Sequence, residues 1–122
     1  MCWPFGRRLL AVNARLSTFM QSFYAAQFDR EMGCSEREWL MWLPAAMGGV
    51  RWTLGTGALQ AQPLAASDAA SLRITWHTGE PRRIGMVTLP RLLVRFVFEA
   101  MDDAQRYTFM KRFDLYMQRG GG

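Results

Sequence analysis

The stretch RIGMVTLPRLLVRFVFEAMDDAQRYTFMKRFDLYMQRG, residues 83–120, decides how this chain folds. Its first half is strongly apolar and alternating. The even positions from 84 to 98 are Ile84, Met86, Thr88, Pro90, Leu92, Val94, Phe96 and Phe98. The odd positions from 91 to 99 are Arg91, Leu93, Arg95, Val97 and Glu99. Alternation with a period of two predicts a strand that turns one face to a core and the other to solvent.

The alternation keeps its parity across Pro90. We therefore expect one long strand over residues 84–98, kinked at Pro90, because proline has no N–H to give to a neighbouring strand. A hairpin that turns at Leu89-Pro90 is the alternative.

The second half of the stretch predicts a helix that begins at Asp102. The Asp102 carboxylate can accept from free N–H groups of the first turn, and Gln105 stands three residues later, as in a capping box. Apolar side chains then recur every three or four residues: Phe109, Met110, Phe113, Tyr116 and Met117. This stripe should lie on the sheet. Gly120 is a natural residue for the helix to end at.

The residues before this stretch predict two helices and three short strands. One helix covers residues 9–28, with a buried stripe of Val12, Leu16, Phe19, Met20 and Phe23. The next begins with the capping box Ser35-x-x-Glu38, and Pro44 should break or bend it. Alternation then predicts strands at residues 50–54, 58–62 and 72–76. The predicted fold is α+β: two N-terminal helices, an antiparallel sheet of about four strands, and a C-terminal helix packed on the sheet.

Length and composition restrict the class of protein to which the chain can belong. A chain of 122 residues with half of them apolar predicts one folded domain, residues 1–122, with an irregular arm at 1–8 and a flexible tail at 120–122. No apolar run reaches the length of a membrane span. Two cysteines, Cys2 and Cys34, are too few for a disulfide framework, and a cytoplasmic location is the default. Export or import, suggested by Arg7-Arg8 and an acid-free start, is the alternative.

The charge pattern provides the candidate binding residues. The net charge is +5, and all but one of the 15 basic residues are arginine. Strand parity predicts that Arg73, Arg83, Arg91 and Arg95 point away from the aromatic core, on an open sheet face that could hold phosphates. An ordinary solvated face explains the same pattern. RNA-binding sheets also expose aromatics, whereas the aromatics here have the parity of the core.

The motifs give no catalytic, cofactor or metal site. His77 is the single histidine and could act as a base oriented by Glu80, but the pattern favours a solvent-facing histidine at a strand end. Cys34 precedes a helix start, which can lower a thiol pKa, but it lacks a partner motif. The glycine pairs fit turns rather than phosphate loops. No cofactor is expected.

Segments of the C-terminal third resemble a known group of sequences. PRRI at residues 81–84, LPRL at 89–92 and FDLYMQR at 113–119 with the glycine end resemble an uncharacterised family of small proteobacterial proteins. The resemblance implies a bacterial source and no activity.

Abundant apolar anchors then favour a small non-catalytic protein-interaction domain whose partner is another protein. The alternative function is binding of nucleic acid or another polyanion through the arginine-lined face, and an enzyme of unrecognised type is the third hypothesis.

Overall fold

The computed structural model of the protein describes residues 23–62 and 69–121. Two helices and seven strands occupy them: β1 Gln27–Met32, α1 Glu36–Met47, β2 Arg51–Gly55, β3 Ala58–Gln62, β4 Ser71–Thr78, β5 Arg82–Ile84, β6 Val87–Leu89, β7 Leu92–Glu99 and α2 Asp103–Gly121. The predicted α+β class and antiparallel sheet are confirmed. No helix in the described ranges has the length and apolarity to cross a membrane.

The main sheet has five antiparallel strands in the order β1-β7-β4-β3-β2. The prediction of about four strands missed β1, which pairs with β7 from Gln27↔Val97 to Met32↔Leu92. The predicted helix over residues 9–28 is wrong at its end, because Gln27 and Phe28 belong to β1. Phe23, expected in a buried stripe, is exposed. The rest of that prediction falls outside the described residues, as does the arm at 1–8.

The expected long strand over residues 84–98 is three strands. Strands β5 and β6 form a separate hairpin with the pairs Arg82↔Leu89 and Ile84↔Val87, and only β7 joins the main sheet. The alternative turn at Leu89-Pro90 is also wrong, since the chain turns at Gly85-Met86, where Gly85 has φ +61°. Both interruptions contain two residues, so each preserves the parity that had suggested continuity.

Helix α1 begins as predicted and continues further. Ser35 Oγ accepts from the Glu38 N–H at 3.2 Å, and the Ser35 N–H donates to the Glu38 carboxylate at 3.0 Å, which completes the capping box. Pro44 lies inside the helix and does not end it. Leu40 and Pro44 are both exposed, so water can satisfy the Leu40 carbonyl that proline leaves without a donor. Burial of Met47 holds the following turn against the core.

Helix α2 packs its predicted stripe on the sheet. The Asp102–Gln105 capping box forms with distances of 2.8 and 2.9 Å. Phe113 is fully buried and meets Phe96 of β7 edge to face, with the ring centroids 5.5 Å apart. Phe109 meets Phe98 in the same manner at 6.0 Å. The helix runs to Gly121, so the predicted stop at Gly120 lies in its last turn.

Three arginines hold the helix side of the sheet together. Arg30 on β1 is buried, bonds Asp114 of α2 at 2.6 Å, and lies over the rings of Phe28 and Phe96. Arg106 donates to the Tyr24 carbonyl at 2.7 Å, and Arg112 donates to the Ala46 carbonyl at the end of α1 at 2.9 Å. Arg30 and Arg106 are buried, and a buried charge needs hydrogen-bond partners such as these to offset its loss of hydration. These side chains serve the fold.

Candidate functional site

The open face of the sheet, opposite the helices, carries two of the four predicted anion-binding arginines. Arg73 on β4 and Arg95 on β7 are both exposed there, because Leu72, Ile74, Val94 and Phe96 take the alternate positions in the core. Arg83 lies on β5 and therefore belongs to the separate hairpin. Arg91 lies in the two-residue link between β6 and β7. The four side chains do not form a continuous arginine face.

Strand β1 adds carboxylates to this face. Asp29 lies directly across from Arg95 in the β1–β7 pairing, and its carboxylate accepts from Arg95 Nε at 2.7 Å and Nη2 at 3.1 Å. The hydrogen bond with Arg95 lowers the pKa of the Asp29 carboxyl, while partial burial acts in the opposite direction. The same bond raises the pKa of Arg95. Both side chains are more than half exposed, so the pair adds little stability.

Glu31 occupies the next outward position of β1 and meets the base of the hairpin. Its Oε1 lies 3.2 Å from Arg82 Nη2 and 4.0 Å from Arg91 Nε. The carboxylate thereby joins the two ends of the 82–91 segment to the edge of the main sheet. Arg91, one of the four predicted anion-binding residues, therefore has a carboxylate beside it.

A shallow depression of about 510 Å³ lies between β1, β7 and β4. Asp29, Glu31, Thr75, His77 and Arg95 line it, together with Leu93 and the strand positions Arg30 and Val94. His77 is exposed, and no hydrogen bond joins it to Glu80 within the described ranges. The arrangement offers both signs of charge beside an apolar floor, which suits contact with a mixed polar surface more than with a phosphate backbone.

Other predicted chemistry finds little support in the geometry. Cys34 is fully buried, which removes the thiol from contact with solvent and soluble reagents in the folded protein. Within the part of the chain that the structure describes, no three His, Cys, Asp or Glu side chains stand close enough to hold a metal ion.

The β5–β6 hairpin exposes an apolar tip, in which Ile84 and Met86 have the parity of the predicted core face. Met86 is fully exposed, and Ile84 and Val87 are 59% and 55% exposed. We call these three residues the hairpin tip. Arg83, also exposed, stands directly before it. Exposed apolar side chains gathered at one projecting turn mark a contact surface more often than scattered ones do.

The signal that would have revealed these features is partly present in the sequence. Gln27–Met32 alternates only if Arg30 is counted as an inward residue, because Phe28, Arg30 and Met32 face the helices while Asp29 and Glu31 face out. An arginine inside a core contradicts the usual pattern, which hid the strand. The hairpin had a usable signal in Gly85, the only glycine of the supposed long strand.

Comparison of the chain with protein-family models, with curated proteins and with solved structures finds no match.

Proposed function

We propose that the protein is a non-catalytic interaction domain that contacts another protein through the hairpin tip. The observation that supports this proposal is the exposure of Ile84, Met86 and Val87. They lie at the end of a hairpin whose two strands pair with each other and with no other strand of the described chain. A protein partner can bury such side chains in an apolar recess, and removing them from water supplies the main favourable term in association.

The charge around the tip indicates which kind of protein surface would fit it. Residues 81–91 contain Arg82, Arg83 and Arg91 and no acidic residue. Arg82 and Arg91 are turned toward Glu31, which leaves Arg83 beside the tip without an ion pair to any described residue. The fitting partner is therefore a protein whose apolar recess is rimmed by carboxylates, because complementary charge steers association and fixes orientation.

The base of the hairpin supports a preformed contact element. Besides the contacts with Glu31, the Gly79 N–H donates to the Arg91 carbonyl at 2.8 Å, which ties the segment before the hairpin to the segment after it. A loop held in its binding conformation loses less entropy when it binds. These contacts fix the position of the tip relative to the main sheet.

Site-specific photocrosslinking in cells that express the protein tests this proposal. A photoreactive residue at position 86 should form a crosslink to one protein, and the double variant Ile84→Ser, Val87→Ser should abolish it. The purified crosslinked protein should then bind the wild-type chain and lose affinity for the double variant. The matched control is Leu115→Ser, which removes an exposed apolar side chain from α2. Equal binding by the double variant and the control would refute the proposal.

A lipid surface is the competing occupant of the tip, and vesicles separate the two. The wild-type chain should not co-sediment with vesicles rich in phosphatidylserine, because the tip is proposed to need a shaped recess. Co-sedimentation that is lost in the double variant would overturn the protein-partner proposal in favour of an anionic membrane surface.

Binding of nucleic acid or another polyanion is the second candidate function. Its support is that Arg73 and Arg83 are exposed and form no ion pair with described residues, on a chain with a net charge of +5. A salt titration of oligonucleotide binding tests it: affinity should fall steeply with salt, and Arg73→Ala should make the log–log slope shallower by about one unit. Absence of binding at low salt would refute it.

A further inference from the structure

The main sheet has two edge strands, and they differ in how well they are protected. Strand β1 carries Asp29, Arg30 and Glu31 in succession, and charges of this density oppose pairing with another strand. Strand β2, Arg51–Gly55, has a single charge, no proline, and an uninterrupted register with β3. Within the described ranges no strand pairs with its outer side.

The register of the β2–β3 hairpin determines which backbone groups point outward. The loop Thr56-Gly57 has two residues, so the closing pair Gly55↔Ala58 exchanges hydrogen bonds. Alternation then directs the backbone groups of Thr53 and Arg51 toward β3 and those of Trp52 and Leu54 away from it. Trp52 and Leu54 therefore present two N–H and two C=O groups at the open edge.

We propose that a second copy of this chain pairs with that edge, with β2 antiparallel to β2 about a two-fold axis at Thr53. In this register Trp52 lies opposite Leu54 of the second copy, and the two outward residues of each strand exchange four hydrogen bonds across the axis. An antiparallel pair about an axis normal to the sheet is self-complementary, as a two-fold interface requires. The two five-stranded sheets become one.

The side chains match this register on both faces. Trp52 and Leu54 lie on the helix side, because they stand opposite Ala61 and Leu59, which are buried there. Leu54 is 53% exposed, and in the dimer it packs against the indole of Trp52 from the second copy. On the open face Thr53 meets Thr53, and Arg51 stands opposite Gly55, so like charges do not meet. The contact is independent of the hairpin tip.

Complementary charges at the axis test the register. Thr53 is exposed, and across the proposed axis its partner is Thr53 of the second copy, so Thr53→Asp and Thr53→Lys each place two like charges in direct opposition. Sedimentation equilibrium of the full chain should give a dimer for the wild type and a dissociation constant raised by about fivefold for each variant. An equimolar mixture of the two variants should recover the wild-type dissociation constant. Thr88→Asp and Thr88→Lys, on exposed β6, are the matched controls and should leave it unchanged.

A second variant tests the hydrogen bonds. Leu54→Pro removes an N–H that points away from β3, and it should raise the dissociation constant at least tenfold while the circular dichroism spectrum keeps its folded shape. A wild-type chain that is monomeric at the highest soluble concentration would overturn the proposal. So would a dimer whose dissociation constant is the same in the Thr53 variants, their mixture and the Leu54 variant.

Discussion

Gly48 shows how much a single residue decides in this fold. It ends α1 with φ +62° and ψ −132°, and a Cβ at this position would overlap the guanidinium of Arg112. That guanidinium binds the Ala45 and Ala46 carbonyls at 3.3 and 2.9 Å and so supplies the positive charge that the last turn of α1 lacks. The glycine therefore permits both the backbone turn and the contact between the helices.

Gly48→Ala should lower the free energy of unfolding by about 1–3 kcal/mol, because alanine is strained in this backbone conformation and displaces Arg112. Gly49→Ala is the matched control, since a Cβ there meets nothing within 4 Å and the backbone has no positive φ. Urea unfolding of both variants measures the difference. Equal stabilities would show that neither the strain nor the Arg112 contact matters.

The Asp29–Arg95 pair predicts a small effect of pH. The hydrogen bond from Arg95 depresses the pKa of Asp29 in the folded chain. Its stabilisation is therefore complete above the unfolded value of about 3.9 and is lost as the pH falls through the folded value. An NMR titration of the Asp29 carboxyl should give a pKa below 3.9 that rises in Arg95→Leu. Arg73→Leu, on the neighbouring strand, should leave it unchanged, and a rise in both variants would contradict the assignment.

At the scale of the element, the packing of α2 on β7 was the most predictable feature. Phe113→Ala should cost about 3–5 kcal/mol, because the side chain is fully buried against Phe96 and Trp39. Leu115→Ala on the same helix is the control, since Leu115 is 45% exposed and should change stability far less. Chemical denaturation measures both. An unchanged denaturation midpoint for Phe113→Ala would contradict the packing described for α2.

Local signals predicted α1, α2, β2, β3 and β4 because capping boxes and alternation act within a few residues. The hairpin could not be found by parity, since turns of two residues at Gly85-Met86 and Pro90-Arg91 leave the alternation intact. Strand β1 was hidden because its inward Arg30 depends on Asp114, which is 84 positions away in sequence. The predicted arginine face proved to contain carboxylates as well, because Asp29 and Glu31 lie on β1, the strand that the sequence analysis did not predict.

At the scale of the whole molecule, strand order sets where the fold opens first. Strands β4 and β7 share the longest ladder, eight residue pairs, and each has a neighbour on both sides. The hairpin β5–β6 has three pairs, and no third strand among the described residues joins it. Native-state hydrogen exchange should therefore be slowest for the amides through which β4 and β7 bond to each other, and fastest for the amides of the hairpin. Equally slow exchange in β6 and β7 would show that the hairpin opens only with the main sheet.

The pairing of β1 with β7 also bears on how the protein is made. A ribosome that adds 5–20 residues per second completes Met32 roughly 3–12 s before it reaches Leu92, the residue that pairs with it. During that interval the nascent β1 has no β7 beside it, and Arg30 has no Asp114. We expect the charges of Asp29, Arg30 and Glu31 to keep this early segment hydrated while its partner is being translated. The residues that make β1 hard to recognise as a strand are therefore those that we expect to oppose aggregation of the nascent segment.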